Sequence, residues 1–208
     1  MSSPSRAEIR RRAREISGEP RSKKTTILMG VIVVAAIAAV VAAMMFSAAP
    51  EQSTDTKPAP PFSLPDTAGK TVSLSEFAGK PVLLYFNEGV GCDTCFYQQV
   101  EIEKHSDELK NLGIAEFPVV MNPAEQVKPE LERFKIKTPY LIDSEGTVSK
   151  AYGVLGKGMH EGLPGHGFVL IDADGQIVWQ MEDPSMSTSW KTLDAGIKES
   201  LAKQPASG

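Results

Sequence analysis

The sequence predicts an α/β layer fold behind one transmembrane helix, and three observations carry this. PVLLYFN, residues 81–87, is a nearly continuous apolar run of the kind that forms a strand buried on both faces. Strand-forming and helix-forming stretches alternate after it, the order from which α/β layers are built. Ahead of it, residues 25–50 form one uncharged apolar run, TTILMGVIVVAAIAAVVAAMMFSAAP. The chain of 208 residues is 41% hydrophobic and 23% charged, which is apolar enough to fold rather than stay disordered.

The elements follow in chain order. Residues 1–24 carry eight basic and three acidic side chains, a charge of +5; since the formal total is −4, the rest of the chain stands at −9. Crossing a bilayer takes about 20 apolar residues at the helical rise, and the run at 25–50 exceeds that. Arg and Lys cluster only on its amino side. The positive-inside rule then keeps residues 1–24 in the cytoplasm and sends residue 51 onward across the membrane. A cleaved signal peptide with Ser47, Ala48 and Ala49 as its small-residue site is the competing reading, but its apolar core would span about 7–15 residues, far fewer than here. Beside a membrane helix the basic arm reads as a topology signal reinforced by anionic lipid, so no nucleic-acid partner is expected. Residues 51–60, EQSTDTKPAP, are polar and proline-rich without periodicity, and read as a stiff solvated tether. Residues 61–203 have the length of one domain, and QPASG at 204–208 reads as a disordered tail.

Within the domain, PFSLPDTAGKTVSLSEFAGK at 61–80 has short alternating apolar runs around a turn at 66–70, which predicts an edge hairpin. After the strand at 81–87 come two cysteines and a helix from about Asp93 that ends at Gly113 as its C-cap. IAEFPVVM at 114–121 is the next strand. PAEQVKPELERFKI at 123–136 is a helix expected to break or restart at Pro129, whose ring cannot continue the hydrogen-bond ladder. TPYLID, a short helix around VSKAYGV, and the pair GFVLIDADGQIVWQM follow; the DADG turn at 172–175 closes that pair into an antiparallel hairpin. A last amphipathic helix covers 187–203.

Both cysteines of the chain, Cys92 and Cys95, lie in NEGVGCDTCFYQQ at 87–99, at the C-terminal end of a central strand where such folds place their chemistry. Three apart at a strand-to-helix junction, they can close a disulfide across the first helical turn. The unpaired N–H groups and the dipole there favour a thiolate on Cys92, the more exposed of the two. That thiolate can attack a substrate disulfide, and Cys95 then resolves the mixed disulfide. A structural disulfide is permitted by the compartment, but so short a ring restricts the unfolded chain little. Structural zinc needs two further Cys or His ligands. Copper remains open: two thiolates with His166 or His160, and Met159 nearby, are soft enough for Cu(I). Asp93 is either an N-cap or a charge that opposes the thiolate.

These residues resemble the redoxin branch of the thioredoxin superfamily, the alkyl hydroperoxide reductase and thiol-specific antioxidant type. The likeness runs from about Pro60 to Lys203, through PFSLPDTAGKTVSLSEFAGKPVLLYF, the CxxC, TPYLIDSEGTVSKAYGV and GHGFVLIDADGQIVW in the family's order. More narrowly, the NEG loop before the cysteines and the GHGFVL strand resemble bacterial membrane-anchored redoxins. The resemblance implies a thioredoxin-like fold, a central mixed sheet flanked by helices, with an N-terminal hairpin extension. Peroxidatic members carry Pro-x-x-x-Thr-x-x-Cys and an Arg ahead of the FVLID strand. Here the Pro position is Tyr85, the Thr position is Gly89, and the Arg position falls at Gly165 and His166. Without a cation or hydroxyl for the developing charge, dithiol–disulfide exchange is favoured over peroxide reduction. Thioredoxin-like members place a cis-proline at the position of Gly165, and Pro164 stands one residue earlier. Pro164 and Gly165 are therefore the expected substrate-binding pair.

His166 would then lie near the cysteines, relaying a proton or stabilising the Cys92 thiolate, or else bonding backbone in its glycine-rich loop. Glu88 reads as a solvated surface carboxylate, with proton acceptance from Cys95 as the alternative. His105 reads as a packing or exposed residue, His160 as part of a flexible loop bordering the site, and Tyr140, Tyr152 and Trp179 as core. Arg133, the one arginine after residue 24, is placed on a surface helix. The expected function is a membrane-tethered extracytoplasmic thiol–disulfide oxidoreductase with Cys92, Cys95 and His166 catalytic. Its only cofactor is its own disulfide. Its partners are protein or small-molecule thiols and disulfides and a membrane or extracytoplasmic electron donor. A thiol peroxidase acting through Cys92 sulfenic acid and a soft-metal carrier are the alternatives.

Overall fold

The computed structural model describes residues 5–16, 23–47 and 51–204, with side chains described for 5–11, 27–41 and 51–204. The chain divides into two compact units, Met1–Ser47 and Ala48–Gly208. The first holds α1 (Arg6–Ile16), within the basic arm, and α2 (Lys23–Ser47), which takes up most of the apolar run. The α2 side chains from Ile27 to Val41 are all exposed. Among the described residues no helix is long and apolar enough to cross a membrane. The expected span at 25–50 extends past the side chains described at both ends, and Ala48, Ala49 and the tail beyond Gln204 lie outside the described residues.

The second unit runs β1 (Glu51–Ser53), β2 (Lys57–Pro58), β3 (Ser63–Pro65), β4 (Thr71–Ser73), a 3₁₀ turn (Leu74–Phe77), β5 (Val82–Phe86), α3 (Asp93–Lys104), α4 (Ser106–Asn111), β6 (Ala115–Val120), α5 (Ala124–Phe134), β7 (Leu141–Ile142), α6 (Thr147–Ala151), β8 (Gly167–Ile171), β9 (Gln176–Glu182) and α7 (Trp190–Ala202). The main sheet has the order β1-β9-β8-β5-β6-β7. β5 lies parallel to β6 and antiparallel to β8, so the sheet is mixed and β5 is central. All five β5 residues are buried, as a strand covered on both faces requires.

Alternation along β5 sends its side chains into two cores. Leu83 and Tyr85 pack with Phe168, Leu170, Ile102 of α3 and Leu193 and Ile197 of α7. Leu84 and Phe86 face the other way, onto Phe62, Val72, Val148 and Tyr152. The β3–β4 hairpin that covers this second face forms as the sequence predicts, and Asp66 Oδ1 holds its turn by accepting from the amides of Ala68 and Lys70, each at 2.8 Å. Tyr140, Tyr152 and Trp179 are core residues as read from sequence.

Three local expectations are corrected. Residues 51–58 are exposed and Ala59 and Pro60 half-buried, but the stretch is no free tether: β1 and β2 both pair antiparallel with β9, so polar side chains belong to a sheet edge whose backbone is bonded. The helix after the cysteines breaks at His105, where φ is −107° and ψ 14°, and restarts as α4. Its imidazole bonds Glu108 at 2.6 Å and stacks on Trp190 at 4.3 Å, a packing role. α5 runs unbroken through Pro129, which sacrifices only its own missing N–H.

Candidate functional site

The site grows from the C-terminal end of β5. Asn87 Oδ1 accepts from the Gly89 amide at 3.0 Å and Asn122 Oδ1 accepts from the Val90 amide at 2.9 Å, fixing the loop that leads to α3. Gly89 has φ +73°, and a Cβ there would collide with the Asn122 carboxamide. The position where a peroxidatic enzyme wants Thr thus takes a side chain only with backbone strain and displacement of Asn122.

Cys92 and Cys95 are joined in a disulfide. Cys92 is the N-cap of α3: its Sγ accepts from the Cys95 amide at 3.2 Å, a place normally taken by an oxygen. Cys95 is fully buried and Cys92 is 9% exposed, so Cys92 is the more exposed residue of the pair, though only narrowly. Met186, itself buried and in a left-handed backbone conformation, forms one cluster with them.

Tyr85, at the position a peroxidatic enzyme fills with Pro, reaches across beneath the pair. Its hydroxyl donates to the Cys95 carbonyl at 3.1 Å and lies 3.1 Å from His166 Nδ1. A hydroxyl has one proton, so with that proton on the Cys95 carbonyl the phenol oxygen accepts from Nδ1–H. His166 Nε2 is then a bare acceptor, and it is buried without a partner. Burial pulls the His166 pKa down to about 4 against the opposing pull of Asp183 and Glu88, so the ring is neutral at pH 7. Burial also raises the Tyr85 phenol well above its ordinary value.

Glu88 is a correction. It is 2% exposed, not solvated, because its carboxylate accepts from the Met159 amide at 2.6 Å and from His160 Nδ1 at 2.8 Å, pinning the 157–162 loop. His160 is thereby held, and Met159 points to solvent. Among the described residues no group of three or more His, Cys, Asp or Glu is placed to hold a metal, so the copper arrangement with His160 or His166 does not form. There is no cis peptide bond among the described residues; Pro164 instead bridges to Leu155, while the Gly165 amide donates to the Val154 carbonyl at 2.9 Å. A Cβ on Gly165 would come within 2.8 Å of the Lys157 carbonyl carbon and 2.9 Å of the Gly158 nitrogen, so an arginine cannot stand there.

Sequence reasoning missed two residues. Arg133 is on an exposed helix face as read, but its guanidinium grips the Asp93 carboxylate, directly beside Cys92, and also bonds Glu130. That contact holds the Asp93 carboxyl below the usual carboxylate range and removes part of its opposition to a neighbouring thiolate. Its uniqueness in residues 51–208 was the available signal. Met186 had none, since the chain folds it back onto the cysteines from more than 90 residues downstream.

Residues 56–180 match the AhpC/TSA family. The peroxiredoxin Bcp of Escherichia coli K12 is 32% identical over 145 residues, covering 68% of this chain and 93% of that protein. A chloroplastic peroxiredoxin Q from Sedum lineare is 30% identical over 118 residues, 57% of this chain and 63% of that one. In structure, peroxidoxin BcpB from Mycobacterium tuberculosis superposes with a TM-score of 0.60 at 19% identity over 73% of this chain and 99% of its own, which speaks for the fold. The thioredoxin domain of a thiol-disulfide oxidoreductase from Bacteroides vulgatus gives 0.53 at 25% identity over 70% of this chain and 99% of its own.

Proposed function

We propose that this chain, which belongs to the AhpC/TSA family of redox proteins, is a dithiol–disulfide oxidoreductase in which Cys92 attacks and Cys95 resolves. The observation that carries the reading is the Cys92–Cys95 disulfide at the N-terminus of α3, with Cys92 the more exposed of the two. In the reduced state the Cys92 thiolate attacks a substrate disulfide, forms a mixed disulfide and expels one substrate thiolate. Cys95 then loses its proton, attacks Cys92 Sγ and expels the second. Two electrons pass to the substrate and the internal disulfide closes. The Tyr85 hydroxyl, bonded to the Cys95 carbonyl and in turn to His166 Nδ1, fixes the start of the helix at the resolving cysteine. A Cys95→Ser variant should accumulate mixed disulfides on Cys92, and Cys92→Ser should form none; equal trapping by both would refute the assignment.

A second reading, thiol peroxidase, is favoured by the peroxiredoxin relatives. Cys92 would attack a hydroperoxide, cleave its O–O bond to become a sulfenic acid while the alcohol or water leaves, and then condense with the Cys95 thiol, releasing a second molecule, water. Against it stand the obstructed positions 89 and 165 and a tyrosine at 85. Peroxide oxidation no faster than that of free cysteine would exclude it.

Anchoring is a separate part of the proposal. The uncharged run at 25–50 and the +5 arm before it support a single membrane helix with the redox domain outside the cytoplasm, supplied with electrons by a membrane or extracytoplasmic thiol donor.

A further inference from the structure

A side chain with no part in disulfide exchange is clustered with the two cysteines. Met186 is 6% exposed, and with Cys92 and Cys95 it makes up a small cluster of its own, separate from the three large cores. Its φ is +60°, a conformation that non-glycine residues keep only where their surroundings hold them in it. The surroundings do so. The Met186 amide donates to the Asp183 carbonyl at 3.0 Å, and the buried Asp183 carboxylate accepts from Ser185 N at 2.9 Å, Ser185 Oγ at 2.6 Å and Thr188 Oγ1 at 2.7 Å. The ends of this strap are tied to the site: the Asp183 amide donates to the His166 carbonyl at 2.9 Å, and the Thr188 amide to Gln98 Oε1 of α3 at 2.8 Å.

We propose that, once the disulfide is reduced, Cys92, Cys95 and Met186 form a three-sulfur site for Cu(I). Two thiolates and a thioether are soft donors, which select Cu(I) over the hard cations that want oxygen. All three residues are buried, which limits competition from water for the third position. The charge is also tolerable: two thiolates with Cu(I) leave one negative charge at the N-terminus of α3, where the helix dipole favours an anion, while the thioether adds none. Loading takes two steps. An external dithiol gives two electrons and two protons to the disulfide and is itself oxidised to a disulfide. Cu(I) then replaces the two thiol protons, which leave to solvent. The site uses the same sulfurs as disulfide exchange, so bound Cu(I) and exchange are mutually exclusive.

The test uses the full chain, reduced with dithiothreitol, freed of it under anaerobic conditions, and checked for two titratable thiols. Titration with Cu(I) against bathocuproine disulfonate should give one ion per chain. Met186→Leu, which keeps the bulk and loses the sulfur, should weaken binding at least tenfold. Copper K-edge X-ray absorption of the wild type should give three sulfur ligands and no nitrogen. Undiminished binding by Met186→Leu, or a spectrum with two sulfurs or with any nitrogen or oxygen ligand, overturns the proposal; should the leucine variant fail to fold, the wild-type spectrum decides alone. A chain with two free thiols that exchanges disulfides but does not retain Cu(I) sinks this site and leaves the redox reading standing.

Discussion

The buried His166 and the half-buried Glu116 are two titratable residues whose pKa values are displaced in opposite directions. His166 falls to about 4, so between pH 6.5 and 4 the unfolded chain binds a proton that the native ring refuses. Stability is therefore lost as pH falls through that window, by up to about 3 kcal/mol at 1.36 kcal/mol per unit. Glu116 lies on β6 under Gln99, which donates to its Oε2 at 3.2 Å, and its Oε1 is buried without a partner although part of the residue reaches solvent. Burial raises it to about 8, so the native carboxyl is protonated where the unfolded one is ionised, and stability falls as pH rises from 4.5 to 8, by at most about 5 kcal/mol. Urea unfolding across pH should show both signs. His166→Gln flattens the acid side and Glu116→Gln the alkaline side; an unchanged profile in either variant contradicts the corresponding burial. At the surface, Arg133→Gln frees the Asp93 carboxylate, and the Cys92 thiolate transition, followed by ultraviolet absorbance of the reduced protein, should move to higher pH, whereas Asp93→Asn should move it lower.

At the scale of elements, the loop between β5 and α3 disfavours a peroxidatic threonine for a reason the sequence displays only as a glycine. Gly89→Thr should destabilise the protein by roughly 2–3 kcal/mol, from a positive φ and a collision with Asn122, with no gain in peroxide rate. Thermal melting and stopped-flow oxidation check the two halves. The strap from β9 to α7 rests on one carboxylate, so Asp183→Ala should release Met186 and speed reduction of the disulfide by dithiothreitol; an unchanged rate would show that the strap does not limit access. Elements with strong local signals were legible. The apolar run of β5, the Asp66 turn and the DADG hairpin each carry their own pattern, and each formed as predicted. What escaped depended on partners far along the chain. Residues 51–60 look like a tether because their side chains are polar, but their backbone is claimed by β9, more than 100 residues later. Glu88 looks solvated until the 157–162 loop folds over it, and Arg133 looks like a surface cation until α5 is laid beside α3.

For the whole molecule, the sequence divides its charge and apolarity into a basic arm, an uncharged run and an acidic domain, and the two compact units follow that division at residue 47. If the run at 25–50 anchors the chain, Ala36→Lys should release the protein from alkaline-washed membranes, since a lysine at the centre of a span costs about 3 kcal/mol on insertion scales. A wild-type chain already found in the wash would remove the anchor. The domain's chemistry is independent of that result. The central claim, that Cys92 and Cys95 exchange dithiol for disulfide rather than reduce peroxide, is tested most directly by mixing the reduced chain in parallel with an oxidised protein disulfide and with hydrogen peroxide and comparing the two second-order rate constants. We predict that the disulfide is reduced faster than by free cysteine while peroxide reacts no faster than with it; the reverse ranking would contradict the account.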